Sequence, residues 1–286
     1  MKDLSIQPKI EYQPSLVGRL ARIIIPLLQN ILPSKYYRLS YDFLYITYNK
    51  VLRGLYFLEM LASYIYGDRE KKLQKSLTYK LLPYTMGGKK ALENAFEMTC
   101  FAENRQLEGA LVECGVAQGG TSAMMALASR VLGETPRQKW LFDSYEGLPE
   151  PTAEDYEGGK TGHFIRPLPK GSCLGTIEQV SELMFDTLEF PKEEVHLIKG
   201  WFQDTTPVYR EKVGKIAVLR LDGDWYESTK VPLENFFDQV VEGGLIIIDD
   251  YATCFGSRKA VDEFRTNRNI TNPLNPDGRG GAWFEK

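Results

Sequence analysis

Two apolar runs in the second half of the chain lead directly into aspartates. The run 216–221 precedes an Asp-Gly-Asp sequence (222–224), and the run 245–248 precedes the pair Asp249 and Asp250. Such runs are typical of strands that are buried on both faces of a parallel sheet. Ligands bind outside the carboxyl ends of such strands, and carboxylates that converge there repel one another unless a cation joins them. The pattern therefore predicts a metal-assisted enzyme built on an α/β sheet.

From about residue 85 onward, short apolar runs alternate with helix-length stretches, which is typical of a βαβ series. The predicted strands are 109–115, 140–143, 195–198, 216–221 and 245–248, and residues 280–284 are expected to close the sheet. Between the first two strands, Thr121 or Ser122 is expected to cap a helix that stops at Gly133. We predict an α/β domain with a doubly wound, mostly parallel sheet over residues 81–286.

Residues 1–80 have a different texture, rich in tyrosine, leucine and isoleucine, and we predict a helical N-terminal extension of short amphipathic helices. The apolar residues that recur there at helical spacing are Val51, Leu55, Leu58, Ala62 and Ile65. The prolines that predict an irregular or broken start are Pro8, Pro14, Pro26 and Pro33. Packing on the main domain or on a second subunit is the favoured interpretation. Association with a membrane surface is the alternative, because basic residues accompany the aromatic ones.

Composition excludes several classes of function. The net charge of −3 arises from 35 basic and 38 acidic side chains without a long basic run, so nucleic acid is not an expected partner. Four widely spaced cysteines argue against a zinc site and a disulfide framework, and favour a reducing cytoplasm. The apolar run 23–28 is far shorter than the ~20 residues of a membrane span, and no secretory pattern is evident.

A glycine-containing turn after the first strand predicts a cofactor site. Glu113, Gly115 and Gly119 follow the pattern E-x-G-x-x-x-G, where backbone can approach a ligand closely. Asp143 ends the next strand, where a carboxylate can accept both ribose hydroxyls. The pair indicates an adenosine-containing cofactor, and the acid on the first strand favours S-adenosylmethionine, which carries an ammonium group, over a dinucleotide. A purely structural glycine turn remains open.

The motifs together resemble the macrocin O-methyltransferase family, from about Tyr84 to the C-terminus. The matching segments, in order, are 111–121, 142–149, 199–205, 222–224, 249–251 and 260–264. The resemblance implies a class I methyltransferase with a seven-stranded Rossmann-like sheet that uses S-adenosylmethionine and Mg²⁺. It also implies methylation of a hydroxyl of a small-molecule natural product, most readily a sugar hydroxyl of a glycoside.

The resemblance also implies roles for individual residues. The expected magnesium ligands are Asp222, Asp249 and Asp250. The expected cofactor-binding residues are Glu113, Gly115, Gly119, Thr121, Asp143 and Ser144. Asp249 and Asp250 can share one ion only if the chain leaves strand geometry between them, because adjacent side chains of a strand face opposite ways. The fifth strand should therefore end there.

Methyl transfer to an alcohol also requires a group that takes the hydroxyl proton. Asp224 is the first candidate, because it lies two residues beyond Asp222, although it could instead cap a turn. His163 is the second, in a polar stretch (157–162) that could fold over the site as a lid. His196 is interpreted as a core residue. Glu227 is interpreted as an ion-pair partner of Arg220 or Lys230, and Trp201 and Phe202 as core or adenine-stacking residues.

Three other functions stay open at this point. A catechol or other phenol could replace the sugar as acceptor, since two adjacent oxygens could bind the same ion. A non-catalytic binding protein on the same scaffold and a dinucleotide-dependent oxidoreductase are weaker alternatives. We also expect a homodimer or a higher homo-oligomer.

Overall fold

A computed structural model describes residues 10–12, 16–163 and 168–286. The chain divides into two compact units. Among the described residues, one unit contains 16–82, and the other contains 10–12, 83–163 and 168–286. The sequence predicts the boundary between the helical extension and the α/β domain between residues 80 and 81.

The smaller unit is helical. Its helices are α1 (Leu16–Ile31), α2 (Ser34–Tyr66) and α3 (Arg69–Leu81). Asp68 caps α3 by accepting a hydrogen bond from the backbone N–H of Lys71 at 2.8 Å. The expected break occurs at Pro33, which is the N-cap of α2. No break occurs at Pro26, which lies inside α1, and α2 spans 33 residues instead of forming a short helix. Pro8 and Pro14 lie outside the described residues. Within the described part of the chain, no helix is long and apolar enough to cross a membrane.

The larger unit contains the predicted seven-stranded sheet. Its strands are β1 (Ala110–Cys114), β2 (Lys139–Asp143), β3 (Val195–Lys199), β4 (Ile216–Leu221), β5 (Val240–Ile248), β6 (Asn275–Pro276) and β7 (Ala282–Glu285). Their order is β3-β2-β1-β4-β5-β7-β6. The first five strands are parallel and β7 is antiparallel to β5. The strand order reverses between β1 and β4, which is the switch point where α/β sheets bind ligands.

Helices cover this sheet. They are α4 (Gly88–Asn104), α5 (Gly120–Leu132), α6 (Ile177–Ser181), α7 (Phe202–Val213), α8 (Tyr226–Phe236) and α9 (Phe255–Asn267). α4 packs on α5, and α8 packs on both α7 and α9. Every residue of β1 and β4 is buried, as expected for strands that are covered on both faces.

Three local expectations need correction. β5 begins at Val240, five residues before the apolar run, and Gly243 adopts a positive φ of 75° within it. α5 is not capped by Thr121 or Ser122: its N-cap is Gly119, with a left-handed φ of 85°, and both hydroxyls are bonded to Glu113 instead. His196 is not a core residue, because it lies on the edge strand β3, stacks on Trp140 at 4.0 Å and is only partly buried.

Candidate active site

A cavity of about 490 Å³ opens at the carboxyl ends of the parallel strands. Its walls include residues 115–118 after β1, Asp143 and Ser144 at the end of β2, and residues 222–225 after β4. Asp249 and Asp250 close the wall after β5. The cavity therefore joins the glycine turn and the acidic loops in one site, where the strand order reverses.

Three aspartates meet at one end of this cavity. Asp222, Asp249 and Asp250 each place one carboxylate oxygen within 4.8 Å of the others. The meeting follows from the register of β4 and β5, in which Leu221 pairs with Ile248, so that the residues after them lie side by side. As predicted, β5 ends at Ile248 and the chain turns, which allows two consecutive aspartates to face the same cluster.

Asp250 carries the clearest sign of a missing counter-charge. Its Oδ1 accepts a hydrogen bond from the Thr253 hydroxyl at 2.8 Å, whereas its Oδ2 is buried and has no hydrogen-bond partner. Burial and the charges of Asp224 and Asp222 raise the pKa of Asp250 well above its usual value. An unpaired buried carboxylate oxygen is costly unless a proton or a cation binds it. This oxygen and its neighbours fit a hard divalent cation.

Asp224 lies beside the three aspartates. It has a left-handed φ of 58°, lines the cavity and accepts a hydrogen bond from the Cys254 thiol at 3.6 Å. Burial, together with the charges of Asp222 and Asp249, raises its pKa to about 8. A carboxyl group with such a pKa can exchange a proton near neutral pH.

Two arginines, which the sequence analysis did not assign to the site, share the same acids. Arg220 in β4 is 1% exposed and binds Asp222 at 2.8 Å and Asp249 at 2.5 Å. Arg279 forms a short ion pair with the other carboxylate oxygen of Asp249. Although burial opposes ionisation, the two guanidinium groups hold the pKa of Asp249 below its usual value. Both oxygens of one predicted magnesium ligand are therefore already in ion pairs.

Of the two partners expected for Glu227, Arg220 or Lys230, the first is wrong, because Arg220 binds other acids. Glu227 itself lines the cavity. The signal for the real role of Arg220 was present in the sequence: a charged residue within a fully apolar strand must find buried partners. Arg279 carried no comparable signal, since it follows Asp277 in a polar loop. The ion pairs of these two guanidinium groups join them to four carboxylates: Glu113, Asp222, Asp249 and Asp277. Among the ion pairs of the described residues, none includes Asp224 or Asp250, so the carboxylates of the cluster outnumber its cationic groups.

The other end of the cavity is built around Asp143. Its Oδ2 accepts the backbone N–H groups of Val116 and Ala117 at 2.7 and 2.9 Å, and its Oδ1 accepts that of Tyr145 at 2.7 Å. The carboxylate thus fixes the glycine turn while it lines the cavity. Ser144 also lines the cavity, and its hydroxyl donates to the carbonyl of Gly147 at 3.0 Å.

Gly115 is the position where the two ends of the site touch. Its φ is +96°, and a Cβ added there would lie 1.8 Å from the carbonyl oxygen of Asp222. Gly119 is the helix cap below this turn and is not part of the cavity wall, whereas Thr121 is. The sequence therefore needs glycine at residue 115 so that the turn after β1 can lie directly against the acidic loop.

Glu113 and His163 are not among the residues that line the cavity. Glu113 is fully buried beneath the glycine turn, where it binds Thr121, Ser122 and Arg220. His163 packs against the rings of Tyr12 and Phe255 at centroid distances of 5.2 and 6.1 Å. Its backbone N–H donates to Thr253, next to the acidic cluster, while residues 164–167 lie outside the described part of the chain.

Aromatic side chains supply much of the remaining cavity wall. Trp201 and Phe202, for which core packing and cofactor stacking were both open, line the cavity, as does Tyr84. Trp225 was not predicted: it is 2% exposed, lines the cavity and donates its indole N–H to the carbonyl of Pro149 at 3.1 Å. The cavity therefore combines a charged floor with apolar walls, as expected of a small-molecule site.

Comparisons with known proteins agree with this architecture. Residues 35–286 match the family model of macrocin O-methyltransferase (TylF). The chain is 31% identical over 243 residues to demethyldecarbamoylnovobiocin O-methyltransferase of Streptomyces niveus, covering 80% of this chain and 91% of that protein. It is 36% identical over 201 residues to a tetracenomycin-C rhamnosyl 4'-O-methyltransferase of Streptomyces olivaceus, covering 70% and 75%. The structure of the O-methyltransferase NovP is 32% identical and superimposes with a TM-score of 0.62 over 71% of this chain and 82% of NovP.

Proposed function

This chain belongs to the macrocin O-methyltransferase family, and we propose that it is an S-adenosylmethionine- and Mg²⁺-dependent O-methyltransferase. The observation that carries the proposal is the single cavity in which the glycine turn and a cluster of under-neutralised aspartates meet. The acceptor we propose is a hydroxyl of a small-molecule natural product, most readily a sugar hydroxyl of a glycoside. The novobiocin- and tetracenomycin-type relatives support this acceptor class by their names.

The residues proposed to hold Mg²⁺ are Asp222, Asp249 and Asp250. The buried, unpaired Oδ2 of Asp250 supports this assignment, because oxygen is the ligand that Mg²⁺ prefers. When bound, the ion would orient two neighbouring oxygens of the acceptor and lower the pKa of the reacting hydroxyl. Asp249 would contribute less charge than the other two, since Arg220 and Arg279 already bind it.

The residues proposed to hold the methyl donor surround the glycine turn. Asp143 retains lone pairs that can accept ribose hydroxyls. Gly115 lets the turn lie against the backbone of Asp222, so that the turn forms part of the cavity wall. Thr121 and Ser144 line the same part of the wall, while Gly119 caps the helix behind it. We propose that Glu113 acts through Thr121, because it is covered by the turn.

Asp224 is the proposed proton acceptor. It lines the cavity beside the acids, and its raised pKa makes it a stronger base than an ordinary carboxylate. His163 remains the second candidate, since its backbone is bonded to the segment that carries Cys254. If Asp224 is the proton acceptor, Asp224→Asn should abolish the pH dependence of kcat, and His163→Ala should leave it unchanged. If His163 is the acceptor, the effects of the two substitutions should be reversed.

The proposed function is tested by binding and turnover. Isothermal titration should show binding of S-adenosylhomocysteine, and methyl transfer to candidate glycosides should require Mg²⁺ and stop in EDTA. Activity that is indifferent to EDTA would contradict the metal assignment, and absence of cofactor binding would favour a non-catalytic binding protein. Because Trp201, Phe202 and Trp225 provide aromatic walls, a catechol is tested in parallel as the alternative acceptor.

We also propose that the chain forms homodimers through α2. Four apolar side chains of this helix, spaced alternately by four and three residues around Ala62, are strongly exposed. Val51, Leu55, Leu58 and Ile65 are 55, 55, 61 and 73% exposed. This spacing is typical of a seam between two helices. The same helix also exposes Leu52, Phe57, Leu61 and Tyr64, at 41, 39, 44 and 53%, so a membrane surface, which takes a broader apolar face, is the alternative partner of this helix.

Light scattering of the full chain tests the dimer. The wild type should have about twice the chain mass of 32.6 kDa, and the double substitution Leu55→Lys and Leu58→Lys should halve it. Val208→Lys, at a residue of α7 that is 65% exposed, is the matched control and should leave the mass unchanged. A monomeric wild type would refute the dimer, and vesicle binding that is lost in the double variant would show a membrane contact instead.

A further inference from the structure

We propose that Arg220 is a positioning residue that couples the methyl-donor end of the cavity to its metal-binding end. The inference rests on the proposed function and concerns how its two halves communicate. Arg220 lies in the centre of the sheet, where its backbone pairs in register with Glu113 of β1 on one side and Ile247 of β5 on the other. Its side chain is 1% exposed.

At one end, the guanidinium group binds the proposed metal ligands. Nη1 lies 2.8 Å from Oδ2 of Asp222, and Nη2 lies 2.5 Å from Oδ1 of Asp249. These two acids come from different strands, so Arg220 fixes the distance between the acidic loops. Because the guanidinium group is planar and binds one oxygen from each acid, it fixes the orientation of the two carboxylates as well as the distance between them.

At the other end, the same Nη1 lies 2.6 Å from Oε1 of Glu113. Glu113 in turn accepts hydrogen bonds from the hydroxyls of Thr121, at 2.6 Å, and Ser122. Both hydroxyls belong to the first turn of α5, directly after the glycine turn, and Thr121 lines the donor end of the cavity. An unbroken chain of charge-assisted hydrogen bonds therefore runs from the donor wall to the metal ligands.

Burial makes this series of hydrogen bonds rigid. A guanidinium group without solvent cannot leave its carboxylates without a large desolvation cost. When a cation at Asp222 and Asp249 takes up part of their negative charge, Arg220 is held less by them and more by Glu113. The stronger Glu113 ion pair fixes the turn that carries Thr121. Occupation of the metal end should therefore favour binding at the donor end.

Thermodynamic linkage makes this statement measurable. If Mg²⁺ raises the affinity for S-adenosylhomocysteine, then S-adenosylhomocysteine must raise the affinity for Mg²⁺ by the same factor. We expect a factor of about fivefold or more, at the lower part of the usual range for coupled sites. S-Adenosylhomocysteine is the appropriate probe, because its sulfur is neutral and does not itself repel the ion.

The test is isothermal titration of the full chain with Mg²⁺, with and without saturating S-adenosylhomocysteine, and the reverse titration. Arg220→Lys keeps the charge but loses the fork, and Glu113→Gln keeps the shape but loses the charge. In both variants the linkage factor should fall to about one. Arg137→Lys is the matched control, because Arg137 also forms a buried ion pair, with Glu103 at 2.6 Å, and donates to the carbonyl of Gly109, but neither of these partners lines the cavity.

The outcomes separate the inference from the proposed function. Failure of the wild type to bind either ligand would overturn the proposed function. Independent binding of both ligands by the wild type, or an unchanged linkage factor in a folded Glu113→Gln variant, would overturn the role of Arg220 alone. Thermal unfolding is recorded for every variant, so that a loss of fold is not mistaken for a loss of coupling. If Arg220→Lys does not fold, Glu113→Gln carries the test.

Discussion

The acidic cluster should make the stability of the metal-free protein fall as the pH rises. In the folded protein the pKa of Asp224 is raised to about 8, chiefly by burial and by the charge of Asp222, whereas an unfolded aspartate has a pKa of about 3.9. Between these values the folded state holds a proton that the unfolded state does not. The resulting stabilisation is fully present below the lower pKa and is lost as the pH rises through the higher one.

The size of this effect follows from the linkage relation. One bound proton contributes a slope of about 1.4 kcal/mol per pH unit. From pH 6 to pH 8, Asp224 alone should therefore cost about 2 kcal/mol, because the slope decreases as its own pKa is approached. Burial raises the pKa of Asp250 in the same direction. For a chain of this size, about 2 kcal/mol corresponds to a decrease in Tm of roughly 4 to 8 °C.

Differential scanning fluorimetry at pH 6, 7 and 8, in EDTA and in excess Mg²⁺, measures this decrease. A cation bound by the neighbouring aspartates would stabilise the ionised form of Asp224, so the decrease should be smaller with Mg²⁺, and the gain in Tm from Mg²⁺ should grow with pH. Asp224→Asn keeps the shape of the side chain without its titration and should flatten the profile in EDTA. A level profile in EDTA, or a gain from Mg²⁺ that is the same at pH 6 and pH 8, would refute the reasoning.

Three further predictions follow from single contacts. Asp155→Asn should lower the free energy of unfolding by about 1–3 kcal/mol in a urea titration, because this buried carboxylate accepts two backbone N–H groups and a hydroxyl that an amide cannot all satisfy. Gly115→Ala should lose cofactor binding and lower Tm far more than Gly171→Ala, since only the former would press a Cβ onto a backbone carbonyl. Arg279→Gln should tighten Mg²⁺ binding about fivefold in isothermal titration by removing a competing positive charge from Asp249; weaker binding would mean that Arg279 instead holds this carboxylate in place.

The sequence predicted the sheet well because its strands are simple. β4 is an unbroken apolar run apart from Arg220, and β4 and β5 end where aspartates begin, so strand ends and acidic loops could be placed together. The start of β5 was missed because Glu242, Gly243 and Gly244 have the composition of a turn. These residues continue the strand through an irregularity in its register with β4, and no local sequence pattern indicates such an irregularity.

The direction of the site side chains was harder to predict. All five residues of β1 are buried, so the period-two pattern that normally separates the two faces of a strand is absent. Glu113 was expected to bind the cofactor, and no local pattern indicated that it lies beneath the glycine turn and not in the cavity wall. The partners of Arg220 are 107 residues away at Glu113 and 29 at Asp249. Thr121 and Ser122 are residue types that commonly cap helices, but both hydroxyls instead donate hydrogen bonds to the buried carboxylate of Glu113.

The uneven distribution of the arginines implies an order among the three proposed metal ligands. Asp249 is neutralised from both sides, Asp222 from one side, and Asp250 has a buried oxygen without any partner. A cation gains most where negative charge is least compensated, so Asp250→Asn should weaken Mg²⁺ binding more than Asp222→Asn, and Asp249→Asn should weaken it least. Isothermal titration of the three variants measures this order. Equal losses would show that the arginines leave Asp249 when the ion binds, because only then would the three carboxylates contribute alike.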